Sequence, residues 1–344
     1  MMLTLPKSED HFVPIKETRS YNGIDLIKFL CAILVFTIHI TPFPKSSFAA
    51  AKDVNFWLQQ YICRLAVPFY FASSGFFLFK KMPLYDLDRD ILKAYCFKVL
   101  RLLGTWHVLL FMGSTGHLWY LGATVVAVIL LSLCFHFRIR LGYIYAIACI
   151  LYLIGVLGDS YRELLAPLEN IKFFRLFFKG YNIAFTTTRN GVFMGFIFVL
   201  IGATFSNCQT KLKPITALLG FAVSMLCMFI EVFLLKHNNI LTSYNMYVFL
   251  LPATYFLFAF STTVKLKDRP IYKHLRSIGM VIYFAHLFVN KCTSLAIDVI
   301  NRYCHIQLAH YQFMLSLLFT ILIAICVDRL ACKKRFKWVN WIIS

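Results

Sequence analysis

Within the apolar stretch DLIKFLCAILVFTIHITPF, residues 25–43, three side chains can ionise: Asp25, Lys28 and His39. Lys28 and His39 lie 11 positions apart, which at about 100° per residue is three helical turns plus about 20°, so both project from one face and Asp25 joins it. The rise between them is about 16 Å, which puts the ammonium near one edge of a bilayer core and the imidazole beyond its centre. The ammonium either snorkels to headgroups with Asp25 as its partner or receives an anion such as a phosphate. The imidazole either makes a helix-to-helix hydrogen bond or takes and returns a proton, because it titrates near neutrality. Ionisable groups are costly in hydrocarbon, so such residues face a bundle interior or a wet cavity.

Arg64 lies well inside the second apolar stretch, where a guanidinium keeps its proton and needs an anion or a wet pocket. Lys98 and Arg101 add positive charge to the third. Lys28, Arg64, Lys98 and Arg101 are expected to line a funnel open to the cytoplasm and suited to phosphates. Ordinary anchoring of cations at the inner face explains Lys98 and Arg101 equally well. Arg189, Asn190, Glu231 and His286 read as packing or pairing residues, and His117 in GHLWYLGA as part of an interfacial aromatic belt. Ser73, Ser74 and Gly75 permit close helix contact. Walker loop, GxSxG elbow and HExxH pattern are all missing, which disfavours a serine or metal hydrolase, and no metal is expected.

The elements that must hold these groups are membrane helices. Of 344 residues 60% are hydrophobic, 17% aromatic and only 15% charged, a balance that belongs in a bilayer. The net charge of +20 sits mostly in short segments between apolar runs, which fits membrane topology and gives no sign of a nucleic-acid partner. Eleven cysteines are scattered without a CxxC pair or metal-ligand spacing, and read as buried thiols. Ten stretches can span: 24–43, 55–79, 93–112, 117–137, 141–158, 188–206, 214–235, 244–264, 277–297 and 309–331. With the N-terminus inside, 20 Lys and Arg fall in inner segments and eight in outer ones, so both termini are expected in the cytoplasm.

The expected fold is an all-α polytopic bundle in the cell membrane, one domain over 1–344 with cytoplasmic tails at 1–22 and 332–344. The first apolar run is long enough to serve as an uncleaved anchor. The loop 159–187 is a candidate lid or acceptor contact, or a plain connector.

Several of these segments resemble the acyltransferase type 3 family of integral membrane acyltransferases. Its first span carries Arg, ten residues, then His, and Lys28 and His39 keep that spacing. RLAVPFYFASSGFFLF (64–79) is similar to its second span, KVLRLLGTW (98–106) to its basic third-span entry, and IYFAHLFV (282–289) to its late Tyr/His span. GHLWYLGA and TRNGVFMGFIFVLIGA (188–203) resemble the branch that includes the membrane part of vancomycin-resistance serine racemases. The resemblance implies transfer of an acyl group, acetyl by default, from cytoplasmic acyl-CoA to a hydroxyl of a sugar or envelope glycan, with His39 as the central catalytic group. His39 would act as general base, or would itself be acylated transiently. Two departures stand out. Lys28 cannot make the bidentate contact of an Arg, and neither a racemase nor an extracytoplasmic hydrolase-like domain is among the 344 residues.

A rival reading is a transporter or flippase of a small polar solute such as serine, since His, Arg and Glu in a wet cavity also suit a proton-coupled carrier. Against it, the sequence shows no inverted repeat and no paired broken spans. A non-catalytic scaffold for envelope assembly is the third.

Overall fold

A computed structural model describes residues 21–43, 50–110, 115–172, 175–176, 187–208, 212–240, 244–304 and 308–343. The described residues form helices joined by turns and short connectors, without strands. The longer helices are α1 (Asn22–His39), α2 (Ala51–Gln60), α3 (Ala66–Phe79), α4 (Arg89–Leu109), α5 (Trp119–His136) and α6 (Leu141–Gly158). They continue with α7 (Phe196–Asn207), α8 (Pro214–His237), α9 (Leu250–Thr263), α10 (Ile271–Cys304), α11 (Gln312–Ala331) and the short α12 (Lys337–Ile343).

Seven helical segments are long and apolar enough to cross a membrane: Asn22–His39, Ala51–Phe79, Gly116–His136, Leu141–Gly158, Pro214–His237, Ile271–Cys304 and Ala309–Ala331. The other three predicted spans are also helical. α4 carries Arg89, Asp90, Lys93, Lys98 and Arg101 along its length, while Gly191–Asn207 and Leu250–Thr263 are shorter apolar helices that fall below the roughly 20 residues a bilayer core needs. The chain is a multi-pass integral membrane protein.

Two of the predicted spans are interrupted, contrary to the uninterrupted spans expected from the sequence. A 3-10 turn at Ile62–Leu65 separates α2 from α3, and a π turn at Gly191–Gly195 opens α7. Asn190 holds that turn, its Oδ1 accepting from the backbone N–H groups of Val192 at 2.9 Å and Phe193 at 3.0 Å. Arg64 and Arg189 sit at these two irregular places, the kind of local winding change that recurs at functional sites.

α3 and α7 pack backbone against backbone. A Cβ on Gly202 would lie 1.8 Å from the Ala72 carbonyl oxygen, and one on Gly75 would lie 2.1 Å from that of Val199. This close crossing is the structural use of the small residues around Gly75. α10 lies between α1 and α11.

Glu231, buried in α8, caps the start of α9. Its Oε1 accepts from Val248 N–H and the Tyr161 hydroxyl, both at 2.7 Å, and its Oε2 accepts from Phe249 N–H at 2.9 Å. The predicted C-terminal tail contains α12, which docks on α4, since Trp106 Nε1 donates to Ile342 O at 3.0 Å. Most of the N-terminal tail and much of the predicted lid, at 173–174 and 177–186, lie outside the described residues.

Candidate functional site

α1 presents Lys28 and His39 as the spacing predicts, but they line two different cavities. The larger, of about 590 Å³, lies among α1, α3, α4, α5 and α10, within the usual range of small-molecule sites. Lys28, Lys81, Lys98 and Arg276 supply its cations, and Leu78, Val99, Leu102 and Phe284 contribute to its apolar wall. Arg276 is already engaged: its Nε donates to Asp25 Oδ1 at 2.8 Å and its Nη2 to Oδ2 at 2.5 Å. Asp25, buried in α1, therefore pairs across to α10 and not with Lys28 on its own helix. Among the described residues, Lys28, Lys81 and Lys98 form no ion pair, and the Lys28 ammonium lies 5.7 Å from the Phe77 ring centroid. Such a wall attracts anions.

Three tyrosines close the inner end of this cavity. Ring centroids of Tyr70, Tyr120 and Tyr283 lie 5.8 to 6.0 Å apart. Each hydroxyl is held: Tyr70 donates to Lys28 O at 2.9 Å, Tyr283 donates to His117 O at 2.7 Å, and Tyr120 shares a proton with Ser74 Oγ at 2.8 Å. Tyr283 lines both cavities.

Beyond it lies a small cavity of about 40 Å³, lined by His39, Arg64, His117, Trp119, Arg189 and Asn245 among others. His39 ends α1 and is exposed. Its ring centroid is 5.3 Å from that of His286 and 6.2 Å from that of His117, and the latter two are 4.9 Å apart. Three imidazoles from the first, fourth and ninth predicted spans thus converge. His286 Nδ1 donates to the carbonyl oxygens of Tyr283 at 2.9 Å and Ile282 at 3.1 Å. That fixes the lone pair on Nε2, a buried atom with no hydrogen-bond partner among the described residues.

In the same cavity Arg64 Nη1 and Arg189 Nη1 donate to one acceptor, Asn245 Oδ1, at 3.0 and 3.3 Å. Arg64 Nη2 also donates to Gln60 Oε1, and the Arg189 guanidinium stacks 5.0 Å over Trp119. Asn245 is oriented by buried Asp159, whose Oδ1 accepts from the Asn245 backbone N–H at 2.8 Å and whose Oδ2 accepts from its Nδ2 at 3.0 Å.

The predicted funnel residues are therefore split. Lys28 and Lys98 share the large cavity. Arg64 stands with His39 on the far side of Tyr283, because the 3-10 turn carries it there. Arg101 lines neither cavity and lies 4.8 Å from the Trp341 ring of α12.

Residues 21–114 match the family model described as an acyltransferase domain. That segment holds Lys28, His39, Arg64, Lys98 and Arg101. The chain is also similar to an amino-acid racemase of Enterococcus faecalis, 29% identical over 70% of this chain and 36% of the relative. A serine/alanine racemase of Enterococcus gallinarum is 27% identical over 77% of this chain and 40% of the relative, and a second Enterococcus faecalis amino-acid racemase is 28% identical over 78% and 41%. The chain thus spans about two fifths of the length of these curated relatives. No solved structure matches it. The resemblance to the acyltransferase family and to its racemase-linked branch, read from the sequence, stands.

Reading each span alone gave His286 and Arg189 packing or pairing places and His117 an interfacial one, and did not name Asn245. Two intramembrane histidines were visible in the sequence, but nothing in their spacing says that they meet His39.

Proposed function

We propose that this chain is a membrane acyltransferase that takes an acyl group, acetyl by default, from acyl-CoA and passes it to a hydroxyl acceptor. The observation that carries the reading is Tyr283, which borders both the cationic cavity and the histidine cavity. In this reading both chain termini lie in the cytoplasm, ten helices span the cell membrane, and the donor enters on the Lys28 side. Its phosphates meet Lys28, Lys81 and Lys98, and its thioester end reaches the tyrosine layer. The acceptor, a sugar or envelope-glycan hydroxyl in the family's usual chemistry, enters on the His39 side.

Neutral His39 takes the proton of the acceptor hydroxyl as that oxygen attacks the thioester carbonyl. The carbon–sulfur bond breaks, the CoA thiolate leaves, and the imidazolium returns the proton to sulfur. The His117 and His286 rings stand beside His39, with centroids 6.2 and 5.3 Å from its own. The Arg64 and Arg189 guanidiniums line the same cavity as His39, available to oxygen that gains charge as the carbonyl is attacked.

His39→Ala tests this. The variant should bind CoA as the wild type does and release no CoA from acetyl-CoA in the presence of acceptor. Retained turnover would take His39 out of the mechanism, and label that stays on the wild-type protein after acetyl-CoA is removed would mark an acyl-imidazole route instead. Two cavities meeting at one tyrosine layer, beside two interrupted helices, also suit a carrier of small polar solutes. Uptake of labelled serine into vesicles without acetyl-CoA turnover would favour that reading.

A further inference from the structure

We infer that the small cavity binds a carboxylate, so that the acceptor is a hydroxyl compound carrying a carboxylate held between Arg64 and Arg189. The word acceptor rests on the acyl-transfer reading, whereas the carboxylate site stands on its own geometry. Two guanidiniums from distant parts of the chain donate to the same atom, Asn245 Oδ1, at 3.0 and 3.3 Å. The amide oxygen occupies the place an anionic oxygen would take. The Nε atoms of both arginines are buried and have no hydrogen-bond partner among the described residues, so donor capacity is left over in a place where unmade hydrogen bonds are costly.

Charge is left over as well. Two guanidiniums face one nearby carboxylate, Asp159, whose oxygens accept from Asn245, from Met246 N–H at 3.2 Å and from Ser160 Oγ at 3.1 Å. Neither arginine forms an ion pair among the described residues. Planar guanidinium forks match carboxylate geometry. A planar carboxylate matches the two forks better than a tetrahedral phosphate does. His39, which lines the same cavity, would then meet a hydroxyl one or two carbons from that carboxylate.

The probes are glycerate, its neutral isostere glyceramide, and inorganic phosphate, offered to the purified full chain in detergent while thermal unfolding is followed. Glycerate should raise the unfolding midpoint, and glyceramide should not. Arg64→Gln and Arg189→Gln should each weaken glycerate binding by about tenfold, the scale of one charge-assisted contact, and the double variant should lose it while binding CoA in the other cavity. An equal response to glyceramide, a phosphate response as strong as that to glycerate, or undiminished glycerate binding by the double variant would overturn the inference. The wild-type comparison needs no variant to fold. Glycerate binding without acetyl-CoA turnover would sink acyl transfer and leave the carboxylate site standing.

Discussion

Replacing Lys28 by Met removes one charge from the large cavity while keeping the length and apolar stem of the side chain. Lys28 is half-buried, whereas Lys98 and Lys81 are exposed, so the dielectric around the three ammoniums differs. A unit charge pair at about 5 Å is worth about 3 kcal/mol at an effective dielectric of 20 and under about 1 kcal/mol in water. Lys28→Met should therefore weaken CoA binding by about ten- to a hundredfold, and Lys98→Met by about two- to fivefold. Salt separates the two further. Raising ionic strength from about 0.1 M to about 1 M cuts the screening length from about 10 Å to about 3 Å, which should erase the Lys98 effect and leave most of the Lys28 effect. Arg276, already neutralised by Asp25, contributes less net charge than either. Isothermal titration of CoA into the purified variants at both salt concentrations reads all of this. CoA affinity in Lys28→Met within twofold of wild type, or a larger loss in Lys98→Met, would refute the assignment of this cavity to the donor phosphates.

Two structural predictions follow from contacts away from the cavities. Gly202→Val puts a Cβ 1.8 Å from the Ala72 carbonyl, so α3 and α7 must part. Overpacking of this kind costs about 1–3 kcal/mol or more, and a lowered unfolding midpoint in detergent checks it. Glu231→Gln keeps one oxygen for the cap of α9 but loses the other and the charge, while Glu231→Ala leaves two backbone N–H groups and the Tyr161 hydroxyl without that acceptor. The Ala variant should lose about 1–3 kcal/mol, more than Gln, with faster amide exchange at 248–249. Equal behaviour of the two variants would deny Glu231 its capping role.

Helix positions were legible in the sequence because apolar runs between basic segments are a strong signal, and each of the ten predicted stretches contains helix, although 40–43, 188–190 and 244–249 are not helical. The face shared by Lys28 and His39 was legible for the same reason. Arg64 was not. Tyr61–Leu65 contains neither Gly nor Pro, so a regular helix was the natural reading. The 3-10 turn there is set by tertiary contacts: Tyr61 Oη donates to Met225 O at 2.8 Å, and Tyr247 Oη donates to Gln60 O at 2.9 Å. Likewise Asp25 was read with its helical neighbour Lys28, but its partner Arg276 is 251 positions away. A buried carboxylate takes the donor that completes its hydrogen bonds, whatever the sequence distance.

The division of charge across the tyrosine layer bears on how the proposed reaction would keep its two substrates apart. On one side, lysines that form no ion pair among the described residues line a cavity large enough for a sizeable ligand; on the other, two arginines and the imidazoles of His39 and His117 line room for a smaller group. A donor rich in phosphate would be drawn to both sets of cations, so charge alone cannot keep it out of the small site. Volume and the fixed tyrosines must do so. Tyr70, Tyr120 and Tyr283 have their hydroxyls engaged and their rings in mutual contact, so only a group narrower than a pantetheine arm's bulkier end would pass without displacing them. On that argument the layer acts as a gauge on the acyl group, and enlarging it at Tyr120, whose ring packs on Tyr70, Phe71 and Tyr283, should widen the range of acyl chains before it alters anything at His39.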